Sequence, residues 1–501
     1  MDSVNSIKGK TEDLYSFIIN ELCEDLNTFH KLNWNQLQYE KLLGNWLINF
    51  IQIIYERFHN CPEYSVDPDK CIPWVPSSII DIIKLGTSKR INSKVCHDIA
   101  LLKLGASLAH ENMSPEYSDH VLRSFTFQNG DYPIQLHGAY INLKQSVKDL
   151  DYRSHLETKE LQFKPFAGHL CLKEGIKNKV KLNWKWRIGN QSLENSSLSN
   201  ILRVMIRRYI PVCFLEGFKT LYESAKPINT KYIFSSTSIH NNLGFKFLTA
   251  RNPEVKVLCN QHGGGYGIDS YCNSETYERK VSNIFYTWGW TEDKKTKPLP
   301  NAPAIHASTN YRSNCILFKY VLYPKYFYKL DNYPFGNRMN NYLHQLIQFA
   351  QKVQNLKIEI SHYPHDYGWN IRKRLSDADV EIDEKSMDDG KYQLHVCNYL
   401  GTSWLESIAA NLPVICFYDP EINKFRDSVS PYIKSFERLG ILHHCPHSAA
   451  DKVIEVSENP EKWWQSDDVQ SNVSNFREKY ARLEDGWEQI WREEFSSLSN
   501  K

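Results

Sequence analysis

Apolar residues follow a helical spacing in the first part of the chain and occur later in short runs that are typical of buried strands. Residues 1 to about 115 are predicted to be helical, with a strongly apolar segment at residues 42–54. From residue 201 onward, apolar runs of strand length alternate with segments of helix length. This alternation favours an α/β architecture for the rest of the chain.

A stretch rich in Lys, Pro, Asn and Ala at residues 291–312 predicts a linker between two α/β halves. The predicted fold is therefore α/β, with two Rossmann-like domains facing a cleft and an N-terminal helical region. The predicted regions are a helical and mixed N-terminal region packed on the first half at 1–200, the first Rossmann-like half at 201–305, a C-terminal Rossmann-like domain at 306–470 and a helical tail at 471–501.

One strand–turn–helix–strand segment in the second half has the features of an anion site. The apolar run 394–397 leads to Gly401, and Thr402 or Ser403 occupies the predicted N-cap of the next helix. Glu406 follows Ser403 at the spacing of a capping box and is also a candidate ribose ligand, and the two roles are compatible. A glycine turn at a helix N-terminus suits a phosphate, because backbone N–H groups and the positive end of the helix dipole point there. An ordinary capped βαβ turn without a ligand is the alternative.

A second candidate segment, with the sequence QHGGGYG, follows the apolar strand predicted at residues 255–259. Three successive glycines allow a backbone to approach a ligand closely and to adopt positive φ. A histidine before them at a strand end is a candidate general base, general acid or hydrogen-bond donor. The alternative is a flexible turn that a hydrogen-bonded histidine fixes. The residues concerned are Gln261, His262, Gly263, Gly264 and Gly265.

Three carboxylates, Asp269, Glu275 and Glu278, follow this loop closely. A carboxylate near a glycosidic centre can act as base, nucleophile or stabiliser of an oxocarbenium-like state. We predict His262 as the catalytic base, with Asp269 or Glu278 orienting it or taking over its role. A single acidic residue is more often simply solvated, and that alternative stays open for each of the three.

A strand predicted at residues 357–360 ends in the sequence SHYPHDYGW. The carboxyl ends of strands are where open α/β sheets bind ligands. His362, Pro364 and His365 are therefore candidate ligands for a phosphate or a ribose. A strand is also predicted near Val380.

The composition excludes several classes of protein. The formal net charge is +2 over 501 residues, so no global field attracts nucleic acid. The 12 cysteines form no CxxC or Cys/His spacing, which predicts free thiols and no metal site. The N-terminus has no apolar core of a signal peptide, and no apolar run is long enough to span a bilayer. We expect a cytoplasmic protein, with peripheral association at the inner face of the membrane left open.

Several motifs together resemble a family of transferases associated with bacterial surface-carbohydrate synthesis, of O-antigen (lipopolysaccharide) and capsule. They are QHGGGYG, ERKVSNIFYTWGW, YPHDYGW and LGTSWLESIAANLPVICFYDP, with LGNWL at residues 43–47 and the pair Trp463–Trp464. The second half also resembles, more loosely, glycosyltransferases of the GT-B architecture. That resemblance implies a nucleotide sugar bound by the C-terminal domain (306–470), an acceptor bound by the first half (201–305), and no metal or other cofactor.

The leading hypothesis is a metal-independent glycosyltransferase that moves a sugar from a nucleotide-activated donor to a glycan or lipid-linked glycan. The nucleotide sugar is expected at Gln261, Gly263, Gly264, Gly265, Pro364, His365, Gly401, Thr402, Ser403 and Glu406. A CDP-alcohol phosphotransferase or a nucleotide-sugar epimerase on the same fold is an alternative. A non-catalytic carbohydrate-binding or assembly protein is the second alternative.

Overall fold

The structure is a computed structural model of the 501-residue chain. It describes residues 4–60, 74–104, 119–129, 132–137, 166–188, 196–302, 312–336, 338–361, 365–380 and 392–500. The predicted ligands His362 and Pro364 lie outside these residues.

The chain divides into two compact units. Unit 1 comprises Met1–Ala139, Lys164–Val257 and Tyr326–Leu330, and unit 2 comprises Tyr140–Phe163, Leu258–Lys325 and Asp331–Lys501. The four regions drawn from the sequence pattern stay a prediction.

Unit 1 begins with helices, as the apolar spacing predicts. They are α1 (Val4–His30), α2 (Gln36–Tyr39), α3 (Asn45–Asn60), α4 (Ile82–Thr87) and α5 (Lys89–Lys103), with a π-helical turn at Glu40–Gly44 and a 3₁₀ turn at Ile79–Asp81. Asn35 starts α2 with a capping box, in which its side chain and that of Gln38 bond each other's backbone N–H groups. Trp46 and Phe50 stack inside this bundle with ring centroids 4.9 Å apart.

The rest of unit 1 combines four strands with five more helices among the described residues. The strands β1 (Asp119–Asn129), β2 (Ile134–Leu136), β3 (Ala167–Lys181) and β4 (Tyr232–Ser235) lie in the order β1-β3-β2-β4. β1 and β3 are antiparallel, and the other pairs are parallel. The helices are α6 (Trp184–Ile188), α7 (Leu198–Tyr209), α8 (Phe218–Ser224), α9 (Ser238–Asn241) and α10 (Leu243–Arg251). α7 ends shortly before Pro211, because proline has no N–H to donate to a helical hydrogen bond.

Unit 2 contains a βαβ arrangement that positions the QHGGGYG loop. Strand β5 (Lys256–Asn260), which crosses the boundary between the units, pairs through Leu258–Asn260 in parallel with β6 (Ile284–Thr287). β6 in turn pairs with β7 (Thr296–Pro298), and α11 (Asn273–Val281) connects β5 to β6. β7 lies inside the stretch predicted as a linker, so that part of the prediction is wrong. Thr296 Oγ1 accepts hydrogen bonds from the N–H groups of Glu292 and Asp293, and this turn aligns the short strand.

Unit 2 also contains a five-stranded parallel sheet in the order β12-β11-β10-β8-β9. Its strands are β8 (Arg312–Lys319), β9 (Lys357–Ile360), β10 (Tyr392–Cys397), β11 (Val414–Phe417) and β12 (Leu442–His443). Near-continuous apolar runs form these strands because helices cover both faces of such a sheet. The strand order reverses between β8 and β10, and this reversal marks the switch point where open α/β sheets bind ligands.

Helices complete unit 2: α12 (Arg338–Lys352), α13 (Ile371–Ser376), α14 (Thr402–Ala409), α15 (Ser430–Arg438), α16 (Pro446–Val456), α17 (Pro460–Trp464), α18 (Asp467–Tyr480) and α19 (Trp487–Ser499). The strand predicted near Val380 is absent from the described residues, because α13 ends there in a turn with Asp379 in the left-handed region at φ 56°. Among the helices that the structure describes, none is long and apolar enough to cross a bilayer.

Candidate functional site

The glycine loop and the start of α14 are in direct contact within unit 2. The N–H of Gly264 donates to Thr402 Oγ1 at 3.1 Å. A Cβ added at Gly263 would lie 2.6 Å from Thr402 Oγ1, and one at Gly264 would lie 2.4 Å from the carbonyl carbon of Gly401. Because real Cβ atoms do not approach so closely, only glycine allows this packing. The structure thus brings together two segments that the sequence separates by more than a hundred residues.

The rest of the loop is held by backbone conformation and by a buried amide. Gly265 adopts φ +89°, which favours glycine, and a Cβ there would meet Asp269 Oδ2 at 2.7 Å. The Gln261 side chain is fully buried, donates to the carbonyl of Gly263 and accepts from Trp288 N and Trp290 Nε1. Gln261 therefore fixes the loop with contacts on both ends of its amide.

His262 lies in a three-residue hydrogen-bonded cluster with Tyr266 and Glu278, which we call the acid–base cluster. His262 Nε2 is 2.9 Å from Glu278 Oε1 and 2.8 Å from the Tyr266 hydroxyl, and that hydroxyl donates to Glu278 Oε1 at 3.0 Å. The His262 side chain is 20% exposed, whereas that of Glu278 is fully buried. α11 supplies Glu278, so the helix after the loop positions the histidine that opens it.

The hydrogen bonds of the cluster are consistent with one tautomer of His262. Burial, together with the neighbouring Glu278 carboxylate, raises the pKa of Tyr266 well above its ordinary value, so the phenol keeps its proton and acts as a donor. A carboxylate only accepts, so Nε2 carries the hydrogen directed at Glu278. In the neutral ring, Nδ1 is then the basic nitrogen.

Asp269 lies beneath the loop rather than at its surface. It is 1% exposed, and its Oδ1 makes no hydrogen bond to any residue that the structure describes. Burial raises the pKa of this carboxyl well above its ordinary value. Its backbone forms an antiparallel bridge with Phe425, and its carbonyl accepts from Arg426 Nε at 3.0 Å. Its catalytic role stays a prediction.

Glu275 forms an ion network on the same helix as Glu278. Its carboxylate accepts from Arg426 Nη2 at 2.7 and 2.8 Å, from Arg279 Nη1 at 2.8 Å and from the N–H of Gly267 at 2.9 Å. Arg426 also pairs with Glu292. These contacts fasten the end of the glycine loop to α11 and to the segment that contains Arg426.

The N-terminus of α14 differs from the prediction in its cap. The N-cap is Gly401, with extended backbone, and no side chain caps the helix. The predicted capping box of Ser403 and Glu406 is therefore wrong, because Ser403 already lies inside the helix. Its Oγ accepts instead from the Tyr399 hydroxyl at 2.8 Å. Thr402, Ser403 and Glu406 are partly exposed.

Sequence reasoning missed the residues at the switch point. Asn398, directly after β10, is 4% exposed, and neither polar atom of its side chain has a hydrogen-bond partner among the described residues. Tyr323, beyond the end of β8, packs on Tyr333 at 5.4 Å between centroids, and Tyr333 lies 6.5 Å from Tyr399. The rule that ligands bind at strand ends applies to Asn398 as well as to Gly401, so this signal was present in the sequence.

His365 is exposed, and its ring lies 5.6 Å from that of Tyr367. His262 and Glu278 offer ligand atoms close enough to share a metal ion, so the prediction of a metal-free reaction stays untested.

A parallel α/β sheet with polar groups at its switch point, beside a histidine–carboxylate cluster, is typical of an enzyme. A protein-family model, described as LIC12162 family transferase, matches residues 108–495, which is more than half of the chain. The chain therefore belongs to the LIC12162 family of transferases. Comparison with curated proteins gave no match.

Proposed function

We propose that this transferase is a metal-independent glycosyltransferase, which moves a sugar from a nucleotide-activated donor to a surface-polysaccharide acceptor. The observation that carries the proposal is the contact of the glycine loop, which begins with His262, and the N-terminus of α14. An acid–base group and an anion-binding helix end then belong to one site. Transfer from a nucleotide sugar needs both, since a hydroxyl loses a proton while a phosphate leaves.

The start of α14 is the proposed place of the donor phosphate. The first N–H groups of a helix have no partner within it and lie at the positive end of its dipole. Asn398 adds a buried amide whose donor and acceptor find no partner among the described residues. A buried amide without a partner costs about 1–3 kcal/mol, and a bound ligand recovers that cost. Tyr323, Tyr333 and Tyr399 offer ring faces for a base or sugar.

His262 is the proposed general base. Its Nδ1 takes the proton of the acceptor hydroxyl as that oxygen attacks the anomeric carbon of the donor sugar. The bond from this carbon to the phosphate oxygen breaks, and the nucleotide leaves with the bonding electron pair. The negative charge that forms on the phosphate then lies near the N-terminus of α14, where the helix dipole stabilises it.

We also propose a domain architecture, an acceptor class and a cellular location for the reaction. The five-stranded sheet of unit 2 serves as the nucleotide domain of a GT-B enzyme, and a glycan or lipid-linked glycan is the acceptor. Nucleotide sugars are cytoplasmic metabolites, so we place the reaction in the cytoplasm.

A donor screen tests the reaction. The full-length protein is incubated with UDP-, GDP-, dTDP-, CDP- and CMP-sugars in the presence of EDTA, with and without glycan acceptors. We expect one donor to release its nucleotide, with an acceptor mass increase of one sugar in mass spectrometry, and His262→Ala to slow both by ~10²–10⁴-fold. Isomerised donor would replace the proposal with an epimerase, and transfer of a phosphoalcohol would replace it with a phosphotransferase. Binding without turnover would support a non-catalytic protein.

Asn398→Ala tests the phosphate site independently of turnover. Because the Asn398 amide has no described partner, its removal should leave the melting temperature unchanged or slightly raised. Nucleotide affinity should fall about tenfold, as for the loss of one hydrogen bond to a charged group. Asn423→Ala is the control, since the Asn423 side chain donates to the backbone carbonyl of Asn332. The control should lower the melting temperature and leave nucleotide affinity unchanged. Unaltered affinity in Asn398→Ala would remove this residue from the site.

A further inference from the structure

The long antiparallel pair β1–β3 in unit 1 has one buried and one exposed side. Leu122, Phe125, Leu170 and Val180 are buried, and a Cβ at Gly217 or Gly244 would touch the side chains of Leu122 or Phe125. Alternate positions are exposed instead, with Val121 opposite Lys179 and Arg123 opposite Lys177. The strand period of two residues thus separates a core side from a solvent side.

The solvent side is cationic and carries two exposed aliphatic side chains. We call the exposed cationic and aliphatic residues of this strand pair the basic ribbon: Val121, Arg123, Lys173, Ile176, Lys177, Lys179 and Lys181. Val121 is 54% exposed, and Ile176, at an irregularity of the pairing beside Lys177, is 77% exposed. The carboxylate of Glu174 pairs with Arg123 at 2.7 Å. The cationic residues of the ribbon therefore outnumber the neighbouring carboxylate of Glu174.

This concentration of charge is local. The whole chain has 60 basic and 58 acidic residues, so its average surface is close to neutral. Lysine clusters attract anionic lipid headgroups, and aliphatic side chains among them enter the boundary between headgroups and acyl chains. A surface for single-stranded nucleic acid would instead pair its cations with exposed aromatic rings. The exposed apolar groups of the ribbon are aliphatic.

We propose that the basic ribbon docks the protein onto an anionic phospholipid surface. Lysine stems lie along the surface with their ammonium groups at the phosphates, while Val121 and Ile176 insert between the headgroups. The inference rests on the surface of unit 1 alone and is independent of the transfer reaction.

Vesicle co-sedimentation of the full-length protein tests the docking. The vesicles contain phosphatidylcholine alone or a mixture with phosphatidylglycerol. The variant Lys177→Glu/Lys179→Glu/Lys181→Glu is compared with Lys219→Glu/Lys434→Glu/Lys462→Glu, in which three exposed lysines outside the ribbon change. Both triple variants change the net charge equally. Circular dichroism and thermal melting confirm that each variant folds.

We expect the parent and the control to bind the anionic vesicles alike, and the ribbon variant to lose about 100-fold or more in partitioning. Ile176→Ser should lower partitioning at high salt, where the aliphatic contribution remains. Equal losses of partitioning in both triple variants would show an effect of net charge and would overturn the assignment of docking to the ribbon. Failure of the parent to bind anionic vesicles overturns the proposal as well. Ribbon-dependent binding of a DNA duplex without vesicle binding would replace the membrane by nucleic acid.

Discussion

Glu275 and Glu278 lie one helical turn apart on α11, and both are almost completely buried, yet their partners differ in kind. Glu275 is bonded to the guanidinium groups of Arg279 and Arg426. Glu278 is bonded to the imidazole of His262 and the phenol of Tyr266. Guanidinium keeps its protons at any physiological pH, whereas imidazole exchanges one. The first network can hold a structure, and the second can also move a proton.

The largest effect on activity is expected at His262, the proton-exchanging partner of Glu278. His262→Ala removes the proposed base and should lower the transfer rate by ~10²–10⁴-fold, the usual contribution of general-base catalysis. Donor affinity should change little, because the phosphate is assigned to α14. Single-turnover transfer and nucleotide binding by calorimetry measure the two effects. If His262→Ala folds and transfers sugar at nearly the parent rate, the histidine only fixes the glycine turn.

Removing the charge of Glu275 should affect folding rather than chemistry. Glu275→Gln leaves Arg279 and Arg426 without their shared carboxylate, and breaking a buried pair costs about 3–5 kcal/mol. Both arginine side chains are about one-fifth exposed, so solvent screening reduces the cost to about 2–3 kcal/mol. Urea unfolding measures this loss. The folded fraction should transfer sugar normally, and an intact stability with lost activity would reverse the roles of the two glutamates.

Glu278→Gln is the matched change on the other network. The amide keeps the shape, but it removes the charge that orients the Nε2–H of His262. We expect a fall in kcat of about 10–100-fold, smaller than for His262→Ala because the base is still present. KM for the donor should stay the same. Tyr266→Phe, which removes one hydrogen bond of the cluster, should also lower kcat at constant KM. The increase in the activation free energy should be about 1 kcal/mol or less. A rise in KM with unchanged kcat would assign Glu278 to donor binding instead.

The sequence pointed to the two segments of the candidate site but not to the difference between the glutamates. Three glycines after a strand and a glycine before a helix are local signals, and the structure places both segments together. Glu275 is distinguished by Arg426, about 150 residues away, which no spacing along the chain reveals. The predicted capping box at the start of α14 was wrong because serine and threonine fit the N-cap and the first turn of a helix equally well. Asn398 follows a strand end, which the sequence shows, but only the structure shows that its amide has no hydrogen-bond partner among the described residues.

Asp269 is the remaining predicted catalytic carboxylate, and it should give the smallest effect on activity. It is buried beneath Gly265, and burial raises the pKa of its carboxyl well above the ordinary value, which favours the protonated form in the folded state. A protonated, buried acid cannot act as a base toward an acceptor. Asp269→Asn replaces it with a neutral group of the same shape, and we expect transfer rates within about threefold of the parent.

The pH dependence of stability supplies the second measurement for Asp269→Asn. In the parent, the unfolded chain loses this proton above its ordinary pKa while the folded chain retains it, so folding is progressively disfavoured as the pH rises toward the folded pKa. The stability that Asp269 contributes is fully present below the pKa of this carboxyl in the unfolded chain. The asparagine variant has no proton to lose, so its free energy of unfolding should fall less steeply above pH ~4. Urea unfolding at a series of pH values compares the slopes. Equal slopes together with a large loss of transfer activity would mean that Asp269 is ionised and catalytic, and that it is a second carboxylate beside Glu278 in the acid–base chemistry.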